Sequence, residues 1–259
     1  MTTNHTLRRL TVTVVLVFGL LGMSGLFLTA NNTVQAQEPQ EVDFHMSWRA
    51  GIRANDLAWG DANHDGTLDL AIISESGSYI FLSHDGTLET LDDDPWVGPS
   101  GSQVAWADMD RDGALDFIVN LGVDGIQIYR NEGLDAQSKL IMTPTWHLTA
   151  TGRMAVGDTN GDGWFDLIIY QSLYIHNTQD GEGLMFEEPI PLPIGPQEAP
   201  TDFELGDIDQ DGDLDLLIIW VSPLDFQSTF ALLRNENGVY SVAQTISSVY
   251  GYVNKTISV

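Results

Sequence analysis

The chain has 259 residues, 43% of them hydrophobic and 18% charged, with no cysteine. That apolar share is enough for a core and excludes a disordered acidic tail. The net charge of −27, from 37 acidic against 10 basic residues, excludes nucleic acid as a partner, since binding it requires basic patches.

Residues 1–36 read as an export segment. Arg8 and Arg9 supply the positive start, Leu10 to Ala30 is a nearly uncharged apolar run, and Val34-Gln35-Ala36 offers the small residues of a cleavage site. The run exceeds a usual signal core and approaches the ~20 residues that span a bilayer, so a cleaved signal and a retained N-terminal anchor both fit. Either way, residues 37–259 are expected outside the cytoplasm. Disulfides would be permitted there, but the chain has no cysteine to form them.

Beyond the leader the sequence repeats. Four segments superimpose without gaps: Asp61-Ala-Asn-His-Asp-Gly-Thr-Leu-Asp69, Asp108-Met-Asp-Arg-Asp-Gly-Ala-Leu-Asp116, Asp158-Thr-Asn-Gly-Asp-Gly-Trp-Phe-Asp166 and Asp207-Ile-Asp-Gln-Asp-Gly-Asp-Leu-Asp215. Their starts lie 47, 50 and 49 residues apart. Each is preceded by a short apolar stretch, such as Leu57-Ala-Trp-Gly60, and followed by a β-rich run, such as Leu70 to Ile73. The loop therefore joins two strands. Further on, a third strand runs into a turn: His84-Asp85-Gly86, Asn131-Glu132-Gly133, Asn177 to Gly181 and Asn235 to Gly238. A fourth strand follows, as at Leu140 to Met142 and Val239 to Val242. No stretch of the mature chain keeps a helical period. The expected fold is all-β, a β-propeller of four-stranded blades.

The loops offer only oxygen. In the third, Asp158, Asn160 and Asp162 stand at positions 1, 3 and 5, Gly163 permits a sharp turn, the carbonyl of Trp164 at position 7 adds an oxygen, and Asp166 closes the set at position 9. The same positions are Asp61, Asn63, Asp65, Thr67 and Asp69 in the first loop and Asp108, Asp110, Asp112, Ala114 and Asp116 in the second. In the fourth they are Asp207, Asp209, Asp211, Asp213 and Asp215. Hard oxygen donors without Cys or recurrent His suit Ca²⁺, one ion per loop. An EF-hand is excluded, because position 12 is Ile72, Val119, Ile169 and Ile218 instead of a bidentate Glu. Turn chemistry alone needs one or two such residues, whereas these loops hold three to five aspartates each. Two carboxylates ~4 Å apart repel by about 4 kcal/mol at an effective dielectric near 20. With millimolar Ca²⁺ and a dissociation constant of order 10⁻⁵ M, each site would add roughly 2.7 kcal/mol by mass action.

At these loops the chain resembles the FG-GAP/VCBS repeat family, whose propeller units also occur in integrin α-subunits. The resemblance covers residues 43–259 and implies a β-propeller with calcium between the first two strands of each blade. Ile-Ile-Ser, Ile-Val-Asn, Ile-Ile-Tyr and Ile-Ile-Trp stand where the integrin version often has Gly-Ala-Pro. The chain thus looks closer to the bacterial secreted branch. Such propellers commonly have seven blades, so four loops suggest part of a larger propeller. Lys255-Thr-Ile-Ser-Val259 resembles the strand before a fifth loop, and Phe44 to Trp48 the outer strand of a preceding blade.

Two functions follow. One is a non-catalytic, calcium-binding module or scaffold whose partner is an extracellular protein or glycan. It has no catalytic or cofactor-binding residues, and it touches a membrane only through an uncleaved leader. The sequence lacks H-E-x-x-H, G-x-S-x-G and any phosphate-cradling glycine loop. The other is a fragment of a polysaccharide-acting enzyme or lectin, with Trp96, Trp146, Trp164 and Tyr170 as sugar-stacking candidates. Trp59 and Trp106 are expected in the core, since Val156 and Leu205 replace them in other repeats. His64 and His84 are expected in solvent, and Glu204 replaces the alanine of the other three repeats.

Overall fold

A computed structural model describes residues 51–85, 87–176, 186–194, 200–221 and 227–250. The leader, Phe44 to Trp48, the Asn177–Gly181 turn and the Lys255–Val259 tail lie outside the described residues. The first blade contains β1 (Ala54–Gly60), β2 (Asp69–Ser74) and β3 (Gly77–Phe81). A small hairpin, β4 (Ser83–His84) and β5 (Thr87–Leu88), then precedes the outer strand β6 (Trp96–Gly98). The second blade is β7 (Gln103–Ala107), β8 (Asp116–Asn120), β9 (Ile126–Leu134) and β10 (Leu140–Leu148). The third is β11 (Met154–Gly157), β12 (Asp166–Ile169), β13 (Ser172–Tyr174) and β14 (Ile190–Pro191). The fourth is β15 (Pro200–Gly206), β16 (Asp215–Val221), β17 (Gln227–Glu236) and β18 (Val239–Tyr250).

Each sheet pairs its strands in sequence order, antiparallel throughout. This is the expected arrangement: four four-stranded blades of a β-propeller. The second strand of a blade is sandwiched between neighbouring blades, which explains its unbroken apolar run. Every residue of β2, β8 and β12 is buried. Three cores lie between consecutive blades. Ile73 and Ile80 meet Val104 and Phe117; Met109 and Ile118 meet Met154 and Leu167; Ile168 and Leu173 meet Phe203 and Leu216.

The inner strands touch in series, β1 to β7 to β11 to β15. Alternation along them sets two faces. Gly60 faces forward, and a Cβ added there would lie 2.7 Å from Trp106 Cδ1 and 3.0 Å from Leu115 Cδ1. Gly157 repeats the relation with Leu205 and Leu214, at 2.8 and 2.9 Å. Between them Ala107 packs with Val156 and Phe165. Backbone amides cross the same junctions: Val104 N donates to Asp56 Oδ2 at 3.1 Å, and Met154 N to Gln103 Oε1 at 2.9 Å.

Two expectations need correction. Trp59 is not core; it is 53% exposed, with Leu57 at 52% and Leu68 at 60%. Trp106 is half-buried because a preceding blade covers it, and no described blade precedes Trp59. The Asn131-Glu132-Gly133 segment is not the hairpin turn. Asn131 is held in the ladder by its amide, which donates to Asp116 Oδ1 at 2.9 Å, so β9 continues to Leu134 and the chain turns at residues 136–138. The turn expected over Asn235 to Gly238 does form a hairpin, but only Asn237 and Gly238 make its loop, with φ of 54° and 81°, while Asn235 and Glu236 stay in β17.

Candidate metal centres

The aspartate loops fold by satisfying their own amides. Position 1 reaches across to the amide of the glycine at position 6: Asp61 to Gly66 (2.9 Å), Asp108 to Gly113 (3.0 Å), Asp158 to Gly163 (2.8 Å) and Asp207 to Gly212 (3.1 Å). Position 3 accepts from the amide of position 5 in Asn63, Asp110 and Asn160. Position 5 in turn accepts from the amide of position 7, so Asp65, Asp112, Asp162 and Asp211 hold Thr67, Ala114, Trp164 and Asp213. These are successive Asx turns. They wind tightly because position 6 takes φ between 83° and 100°, open to glycine alone without strain.

Position 9 differs in environment. Asp69, Asp116, Asp166 and Asp215 are at most 1% exposed. One oxygen of each accepts the amide of position 2, from Ala62, Met109, Thr159 and Ile208. The other accepts an amide of the third strand or its end, from Ser83, Asn131, His176 and Asn235. Position 9 thus fixes the loop to the blade. Burial raises the pKa of Asp69, Asp116 and Asp166, that of Asp116 to about 6, against the opposing effect of these amides.

The side chains converge. Oxygens of Asp108, Asp110 and Asp116 lie within 4.8 Å of one another, as do those of Asp207, Asp209 and Asp211. Asp108 Oδ1 and Asp158 Oδ1 are buried with no hydrogen-bond partner. An orphaned carboxylate oxygen is costly unless a cation completes it. The donor set therefore fits a hard cation, with positions 1 and 3 converging on position 9 in the second loop and on position 5 in the fourth. The fourth loop commits Asp213 Oδ2 to the Asn237 amide at 2.7 Å, which ties position 7 to the β17–β18 turn.

Sequence reasoning missed the arginines. Arg130 Nε lies 2.8 Å from Asp110 Oδ2, and its Nη2 3.0 Å from Asp112 Oδ2. Arg234 Nη1 lies 2.6 Å from Asp209 Oδ2. Both stand one residue before the asparagine that meets position 9. The corresponding residues in the first and third blades are Leu82 and Ile175, and there position 3 is Asn63 or Asn160, donating from Nδ2 to Asp65 or Asp162 at 2.9 and 3.0 Å. The extra aspartate and the arginine occur together, so the signal lay in comparing repeats by position. Arg111 joins two loops: Nε and Nη2 donate to the carbonyls of Gly163 and Asp162, both at 2.7 Å, and the guanidinium lies 4.2 Å above the Trp164 ring.

The proposed sugar-stacking rings are mostly engaged. Trp96 packs edge-on against Phe117 and Tyr129, Trp146 lies 4.5 Å from Phe186, and Trp164 is covered by Arg111 and meets the buried His176 edge-on. Tyr170 alone of the four is exposed, at 37%. His64 and His84 are exposed, as expected. Glu204 is half-buried on β15.

No curated protein matches the chain. Residues 61–119 match the family model of the FG-GAP-like repeat. That stretch holds the first two aspartate loops and the strands beside them; the third and fourth loops lie beyond it, the third folding by the same hydrogen bonds and the fourth by those of positions 1, 5 and 9. The chain is thus similar to an FG-GAP-like repeat over that stretch, and its four four-stranded sheets have the blade arrangement of a β-propeller.

Proposed function

We infer that this propeller is a calcium-binding, non-catalytic module of the extracellular side, a scaffold or adhesion unit for an extracellular protein or glycan. The observation that carries the calcium reading is the pair of buried, partnerless oxygens on Asp108 and Asp158, the first of them within the converging set of Asp108, Asp110 and Asp116. Residues at positions 1, 3, 5, 7 and 9 of each loop would supply the ligands, and the ion would neutralise carboxylates that otherwise repel. FG-GAP-like repeats are typically non-catalytic and extracellular, in keeping with the apolar leader. Among the described residues, no helix is long and apolar enough to cross a membrane. Three of the four tryptophan and tyrosine candidates are packed, so the sugar-stacking reading has only Tyr170 left.

The test is isothermal titration of the refolded ectodomain with CaCl₂, paired with melting curves in calcium and in EDTA. Heat on titration and a lower melting temperature in EDTA are expected. No heat, together with an unchanged melting curve, would reject calcium as the ligand.

A further inference from the structure

The two ends of the blade series are complementary. At each internal junction, the forward face of one inner strand receives the rear face of the next. The forward face is made by Gly60, Ala107 or Gly157 with the residue at loop position 2, and Ala62, Met109 and Thr159 are all buried. The rear face is made by Val104, Met154 or Phe203, each buried, with Trp106, Val156 or Leu205 and then Leu115, Phe165 or Leu214. The fourth blade presents the same forward face uncovered: Gly206 has nothing within 4 Å of its missing Cβ, and Ile208 is 56% exposed. The first blade presents the same rear face uncovered, as Leu57, Trp59 and Leu68. Behind that edge Leu70, Ile72 and Phe81 are already buried with Ile52 and Leu88, so the open part is the inner rim along β1.

Among the described residues these two faces do not meet within one chain. We propose that they meet between chains: the first-blade rim of one copy packs head-to-tail on the fourth-blade rim of a second copy. Trp59 and Leu68 then cover Gly206 as Trp106 and Leu115 cover Gly60. Asp202 corresponds to Asp56 and Gln103, which accept the Val104 and Met154 amides, so it is placed to accept the Leu57 amide. The interface is heterologous, and a ring of two copies, if the rotation closes, would have eight blades. Glu204 is the one mismatch, standing where the internal junctions have Ala58, Ala105 and Ala155. The proposal does not depend on the calcium reading.

Sedimentation of the chain as secreted by an expressing host tests it, in calcium at about 0.15 M salt, where screening limits repulsion between acidic copies. The mass should rise with concentration beyond one chain. A one-chain mass up to the solubility limit would overturn the proposal. Trp59→Asp and Gly206→Leu, checked for unchanged far-UV circular dichroism, should each remain single chains. Mixed in equal amounts they should pair, because each retains the face that the other lacks. Full self-association of Gly206→Leu would mean that first-blade faces pair with each other, and would also overturn the proposal. Should either variant misfold, Glu204→Ala decides: it restores the alanine of the internal junctions and should tighten association about tenfold, and looser association would contradict the docking.

Discussion

Asn131 donates from Nδ2 to the carbonyl of Ala62, 2.7 Å away and 69 residues earlier, and so ties the second blade to the loop of the first. Asn235 makes the same bond to Thr159 at 2.5 Å, between the fourth blade and the third. Each amide also holds the position 8 carbonyl of its own loop, Leu115 or Leu214. Both side chains are almost completely buried. Asn131→Ala removes three bonds, the two donated from Nδ2 and the one Oδ1 accepts from the Gly133 amide, and leaves buried carbonyls unpaired, so a loss of about 2–3 kcal/mol is expected. Chemical denaturation should show a lower midpoint. Asn131→Asp should be worse, since a carboxylate faces the same two carbonyls and cannot donate.

The arginines should tune ion affinity. Arg130 places a positive charge on Asp110 and Asp112, two of the oxygens a cation would use. Asp112 is held below the usual carboxylate range, first by the Ala114 amide and then by this arginine. The pair is partly solvent-exposed, so removing the charge should cost the metal-free protein under about 1 kcal/mol. Calcium, however, no longer competes with a fixed cation. Arg130→Met should therefore bind calcium about tenfold more tightly at the second loop, a change of about 1.4 kcal/mol. Titration calorimetry of the variant would show one site strengthened, and an unchanged isotherm would mean that Arg130 and the ion do not share those oxygens.

Metal-free stability should rise as pH falls from neutrality. The folded pKa of Asp116 is raised to about 6 by burial, above the ~3.9 of an unfolded chain. The ionised form is thus penalised in the fold. That penalty is fully present above pH 6 and is relieved as pH falls through 6 toward 4. The ceiling for this one group is about 3 kcal/mol, and Asp69 and Asp166 shift in the same direction. Calcium reverses the sign, because its ligands must be ionised. Melting temperatures in EDTA between pH 7 and pH 5 should climb, those in calcium should fall, and Asp116→Asn should flatten the EDTA series.

How much the sequence revealed depended on the range of the interactions. The four-stranded repeat and the four loops were legible because Asx turns and strand alternation are local, as at Asp158 to Asp166. Contacts between blades were not. Trp59 and Trp106 both follow an alanine at corresponding places in their strands, yet among the described residues only Trp106 has a preceding blade to cover it. Trp96 gave no local sign that it would pack on Phe117 and Tyr129. Arg130 reaches Asp112 across 18 residues, and only a comparison of corresponding positions in alternate repeats would have shown the pairing.

Substituting the same residue type at two equivalent sites should give opposite results. An alanine at Gly60 would bring Cβ within 2.7 Å of Trp106 Cδ1 and 2.8 Å of Cγ. The indole cannot simply swing away, since it packs against Phe117 with ring centroids 5.0 Å apart and donates from Nε1 to the Ala58 carbonyl at 3.3 Å. Gly60→Ala should cost about 1–3 kcal/mol through overpacking. Gly206 occupies the same place in its blade, has nothing within 4 Å of an added Cβ, and does not take a left-handed φ. Gly206→Ala should leave the single chain unchanged or more stable by up to about 1 kcal/mol, through lower entropy of the unfolded state. Melting the two variants side by side at low protein concentration separates the effects. Equal losses would mean that the Gly206 face is covered within the chain.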